Sequence, residues 1–113
     1  MKFIIQKDYL VQSVQDVMKA VSSEQQFNFT GIKIVATEEG VTLTGSDSDI
    51  SIESFIPNEE EGKEIVDIQK PGSVVLPARF FSEIVKKLPK DVVELDVQSH
   101  FLTIIRSGKA EFN

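Results

Sequence analysis

The pattern that most restricts the fold is an order of elements that occurs twice. Met1 to Gln6 reads as a strand, and Leu10, Val14, Val17, Met18 and Val21 then recur at helical spacing. Three extended runs follow, Ile32 to Thr37, Val41 to Thr44 and Ile50 to Pro57, separated by turns at Glu38-Glu39-Gly40 and at Gly45 to Asp49. The same order returns in the second half. Ser73 to Leu76 is a strand, and Phe81, Ile84, Val85 and Leu88 mark a helix. Val92 to Val97, Phe101 to Arg106 and Lys109 to Asn113 are three more strands. A duplicated unit of strand, helix and three strands predicts an α+β fold, with two helices side by side on one face of antiparallel sheets built by both halves.

Prolines bound the second helix. Pro77 suits a first helical turn, where its missing N–H costs little, and Pro89 bars continuation, so about a dozen residues are expected to be helical. Arg79, Ser82, Glu83, Lys86 and Lys87 fall on its outward side, with Glu83 spaced to reach Arg79 and Lys87. Phe80 lies off the buried stripe and, with Phe112, suggests a partner surface. In the first helix, Asp8 is placed to cap the N-terminus.

Composition narrows the chemistry. At 113 residues there is room for one core, and the absence of cysteine removes disulfides, thiolate metal sites and a thiol nucleophile. His100, the sole histidine, has no serine or acid partner for a triad. Asp47, Asp49 and Glu53 lack the alternating oxygen ligands of a calcium loop and read as turn residues; a metal-dependent phosphoesterase built on them is the remotest reading. Glu59-Glu60-Glu61 reads as a solvated loop. No catalytic residue, metal or cofactor is expected. No run approaches the roughly 20 apolar residues of a membrane helix, so a cytoplasmic, membrane-independent protein is expected. A net charge of −6 weighs against a domain that grips phosphate over a broad face.

Four stretches, MKFIIQKDYL, GIKIVATEEGVTLTGSDSDISIESFIP, GSVVLPARFFSEIVKKLP and FLTIIRSGKAEFN, closely resemble the N-terminal domain of the bacterial sliding clamp, the β subunit of DNA polymerase III. The resemblance implies a processivity fold in which residues 1–113 are the first of three such domains, cut short at the C-terminal end. It implies a two-subunit ring around double-stranded DNA, held topologically and without sequence preference, that tethers the polymerase and performs no chemistry. Polymerase and clamp loader would dock through domains outside this chain. By the same resemblance Arg79 and Lys86 face DNA, while Phe80, Ile84, Lys109 and Phe112 meet the second clamp subunit. A freestanding clamp-fold module that binds a partner protein without encircling DNA is the alternative.

One loop departs from the family. Where relatives carry Arg-Thr-Thr-Ile-Pro-Ile-Leu-Thr, this chain has Glu24 to Thr30, EQQFNFT, one residue shorter and without the DNA-contacting arginine. A coding string for the family loop, CGA ACA ACA ATT CCA ATT TTA ACC, becomes GAA CAA CAA TTC AAT TTT ACC when three nucleotides are removed. That string encodes Glu24 to Thr30, so a local shift of reading frame is one hypothesis for the loop, with a naturally diverged or engineered loop as the alternative. Resequencing the gene checks this: a heptapeptide codon string unrelated by such deletions would contradict it.

Overall fold

The computed structural model describes residues 1–21, 31–47, 50–99 and 102–112. Strand β1 (Lys2–Gln6) runs straight into helix α1 (Lys7–Met18), and β2 (Gly31–Thr37), β3 (Gly40–Ser46) and β4 (Ser51–Pro57) form a meander. A small hairpin, β5 (Glu59–Glu60) and β6 (Lys63–Glu64), precedes β7 (Val66–Lys70). Then β8 (Gly72–Pro77) runs into α2 (Ala78–Lys86), followed by β9 (Val92–Ser99), β10 (Leu102–Ser107) and β11 (Ala110–Phe112).

Each half lends its first strand to the sheet of the other. One sheet has the order β11-β10-β9-β1-β7 and the second β4-β3-β2-β8, so β1 joins the later meander and β8 the earlier. All pairings are antiparallel. Register aligns the inward residues into rows, because side chains at every second position share a face. One row, Ile68, Phe3, Leu95, Ile105 and Phe112, crosses all five strands of the first sheet. In the second sheet Val74, Ile34, Leu43 and Ser54 form a comparable row.

These rows and the helices enclose a single core that includes Leu10, Val14 and Val17 of α1 and Phe81, Ile84 and Val85 of α2. Full burial of such side chains contributes about 1.5–3 kcal/mol each. A pair of hydroxyls crosses the α1 interface, where Ser13, itself buried, meets Ser54 of β4 at 2.8 Å. Each satisfies the other, which removes most of the desolvation penalty of placing them there.

The helix boundaries differ from the sequence expectation for identifiable reasons. α1 starts one residue before Asp8, because the Lys7 N–H bonds Asp91 O at 2.7 Å and leaves Asp8 in the first turn with no capping bond. α2 has nine residues where about a dozen were expected. Its last turn tightens, with Lys87 N–H on Ile84 O and Leu88 N–H on Val85 O, so the chain leaves helical geometry before Pro89. Ser82 is buried where it was expected outside; standing between Ala78 and Val85 at i+4 and i+7, it falls within the buried arc. The Glu59 to Glu64 stretch is a hairpin in place of an open loop. Glu61 and Gly62 both adopt positive φ, 53° and 80°, as a two-residue turn of twist-compatible hand requires.

Candidate DNA-facing helix and subunit edge

α2 carries two different surfaces. Arg79 and Lys86, seven positions apart, share one face and are separated along the axis by about 10 Å. Both are exposed, as are Glu83 and Lys87. The expected pairing of Glu83 with Arg79 and Lys87 is absent among the described residues, where ion pairs gather around Arg106 and join Lys19 to Asp16. The α2 cations are therefore left for solvent or for an anion.

Lys86 also lines an open groove of about 480 Å³ between the helices, with Lys7, Asp8, Gln12 and Gln15 of α1. The polar sides of the two helices thus meet in one surface. Lys7 is a residue sequence reasoning passed over. Its ammonium donates to Leu88 O at the end of α2, where the helix presents its negative pole. That bond ties the start of α1 to the end of α2. No local signal could have shown it, since the partners are 81 positions apart.

The second surface is apolar. Phe80 is 57% exposed and overhangs a groove of about 270 Å³ floored by Leu76, Ile84, Ile105 and Phe112. Phe80, Ile84 and Phe112, scattered in sequence, are thus brought to one place. Ile84 is 6% exposed and contributes as floor, not as a protruding contact. Lys109 is exposed in the turn before β11, which begins at Ala110 and not at Lys109 as expected, because Gly108 at φ +59° still belongs to the turn.

Charge is organised on the outer side of the first sheet. Arg106 Nε donates to Glu111 at 2.9 Å, and its Nη1 donates to Glu94 and, at 3.5 Å, to Asp96. The hydrogen bonds it donates to Glu111 and Glu94 hold the guanidinium in its charged form more firmly than usual. The Asp96 carboxyl lies below its ordinary 3.8, chiefly because Gln98 donates to it; partial burial opposes this, and Lys2 and Arg106 add to the lowering. A depressed carboxyl stabilises the fold fully above its unfolded value, and that contribution is lost as pH falls through the folded value. Asp96→Asn is therefore expected to lose less stability than the parent between neutral pH and pH of about 3. Urea midpoints across that range check it; parallel curves for the two proteins would contradict it.

The remaining sequence candidates separate cleanly. The Asp47 carboxylate accepts from Ile50 N–H at 2.9 Å, a local turn bond, and Glu53 is exposed on β4. Asp49, His100 and the Glu24 to Thr30 loop lie outside the described residues. Among the described residues no three His, Cys, Asp or Glu are grouped to hold a metal ion. A groove of about 510 Å³ beside β7 is walled by Glu38, Glu59, Glu64 and Asp67 and has the wrong sign for phosphate. No described helix is long and apolar enough to cross a membrane.

Residues 1–113 match the profile of the DNA polymerase III beta subunit, N-terminal domain. The chain belongs to this family. It is 72% identical to the beta sliding clamp of Bacillus subtilis and 57% identical to that of Halalkalibacterium halodurans, over the whole of this chain and 30% of each relative. The crystal structure of the DNA polymerase sliding clamp from Bacillus subtilis superposes with a TM-score of 0.94, covering 100% of this chain and 30% of that one. The beta subunit from Streptococcus pyogenes, 32% identical, gives 0.86 over 99% of this chain and 29% of its own. The beta-subunit chain described here thus spans about a third of its relatives' length. Alignment over 114 positions against 113 residues requires one gap in this chain.

Proposed function

We propose that this beta-subunit domain forms one wall of a DNA-encircling ring that tethers the replicative polymerase and catalyses nothing itself. The observation that carries this reading is the pairing of two surfaces on one helix. Arg79 and Lys86 stand unneutralised on an acidic domain, and Phe80, Ile84 and Phe112 gather at the neighbouring edge. The first surface faces duplex DNA and the second, with Lys109, meets a second clamp subunit. Polymerase and clamp loader engage other domains, and the protein works in the cytoplasm beside the nucleoid.

Few cations suit such a task. A ring holds DNA by topology, and strong phosphate contacts would oppose sliding. If Arg79 and Lys86 each neutralise one phosphate, the logarithm of the binding constant should fall with log salt at a slope of about −2. Fluorescence anisotropy of the 113-residue chain with labelled duplex checks this. The expected result is weak binding that disappears by about 0.2 M salt, with Arg79→Glu and Lys86→Glu together removing what remains. Submicromolar binding at physiological salt would contradict the proposal. Light scattering should find a monomer; a tight, specific homodimer would favour a freestanding interaction module.

A further inference from the structure

We propose that Arg106 is the positioning residue of the subunit edge: from the outer face of β10 its guanidinium ties β11 on one side to β9 on the other and thereby seats Phe112 in the groove beside Ile84. This rests on the reading that the α2 and β11 edge meets a second subunit.

Among the described residues, β11 is the edge strand of its sheet and pairs with β10. Its ladder to β10 has three residue pairs, Ile105 with Phe112, Arg106 with Glu111, and Ser107 with Ala110. Arg106 and Glu111 are the central pair. On the other side Arg106 stands directly opposite Glu94 of β9. Side chains alternate across a strand, so this row lies on the outer face while Ile105 and Phe112 point into the groove. One residue from the charged row, on the opposite face, is the aromatic the subunit edge needs.

The bridge uses two different nitrogens. Nε donates to Glu111 on β11, and Nη1 donates to Glu94 and Asp96 on β9. A guanidinium fork can span carboxylates on separate strands; a single ammonium cannot hold both at once. Lys2 of β1, paired in register with Asp96, is the other cation beside the row. Without Arg106, the carboxylates of Glu94 and Asp96 on β9 and of Glu111 on β11, which flank β10 from either side, would lose the cation they share, and their mutual repulsion across β10 would no longer be offset. The charge pattern therefore favours an attached β11 only while the guanidinium is present.

The test compares Arg106→Lys, Glu111→Gln and the double variant in the 113-residue chain by amide hydrogen exchange. Each single variant is expected to speed exchange at Ala110 to Phe112 by about 3–5-fold. Phe3 and Leu95, in the middle of the same sheet, should be unchanged. The double variant should match the singles, because one bridge is broken either way. Glu111→Gln alters an exposed side chain and keeps the test valid if Arg106→Lys folds poorly. Unchanged exchange in β11, or loosening of the whole sheet, would overturn the positioning role.

The same substitutions in a full-length clamp carrying this domain separate that role from the reading beneath it. Faster subunit dissociation, by a factor similar to the change in exchange, is expected. If β11 loosens while dissociation holds, the subunit-edge reading fails; if dissociation rises without any change in β11, the Arg106 proposal fails and the edge reading stands.

Discussion

Replacing Phe81 with Ala is expected to lower the unfolding free energy by about 3–5 kcal/mol. Phe81 is 1% exposed and sits where α2 meets the core, and it also lines the groove beneath Phe80. Its removal forfeits the transfer energy of a buried ring and leaves a cavity that sheet and helix can only partly close. A domain of this size has about 5–15 kcal/mol of stability in total. The variant should therefore stand near the edge of folding. Urea titration checks this: the midpoint should fall sharply while the denaturant dependence stays constant. The neighbouring Phe80→Ala is the internal control, because Phe80 is 57% exposed and its loss should change stability by no more than about 0.5 kcal/mol. If the two substitutions cost the same, the assignment of faces on α2 is wrong.

The second large effect comes from a single methyl group. Gly45 of β3 lies against the backbone of α1, and a Cβ there would stand 2.4 Å from Val17 O and 3.0 Å from Val17 C. Those are backbone atoms, which cannot rotate away as a flexible side chain could. Gly45→Ala must push α1 off the sheet, at a cost of about 1–3 kcal/mol. The displacement would also be felt in the groove that α1 shares with Lys86. Thermal unfolding measures the cost, and amide exchange along α1 should rise more than exchange along α2. A Gly45→Ala protein as stable as the parent would mean that helix and strand are less closely packed than described here.

Much of the architecture is legible from local pattern. Alternation marked most of the strands, Glu38-Glu39-Gly40 marked its hairpin, and the prolines at 77 and 89 bracketed α2. The repeated order also foretold sheets shared by both halves, because two short amphipathic units bury their faces best against each other. What escaped depends on partners far along the chain. Lys7 reaches Leu88, Lys7 N–H rather than the Asp8 carboxylate joins the start of α1 to its surroundings, and Arg106 gains its meaning only when β9 and β11 flank β10. The Glu61-Gly62 turn was concealed by its own charge run, although a glycine at the second turn position between short polar segments was the available signal.

The site was less legible than the fold. Charge and periodicity alone left Arg79 and Lys86 as ordinary cations on a solvated helix, and nothing local connected Phe80 with Phe112. Resemblance to the clamp family brought those residues together as a set, and the structure shows Phe80, Ile84 and Phe112 lining one groove. Around Lys86 the groove is mixed in charge, with Lys7, Asp8 and the neutral Gln12 and Gln15 of α1.

The most direct measurement is topological. This chain would replace the corresponding N-terminal 30% of the Bacillus subtilis clamp, and the chimera would be assembled on nicked circular duplex and passed through gel filtration at high salt. The chimera should stay with the circle and be lost once the DNA is linearised, because a closed ring leaves only over a free end. Equal retention on circular and linear DNA, or retention that vanishes with salt on both, would contradict it.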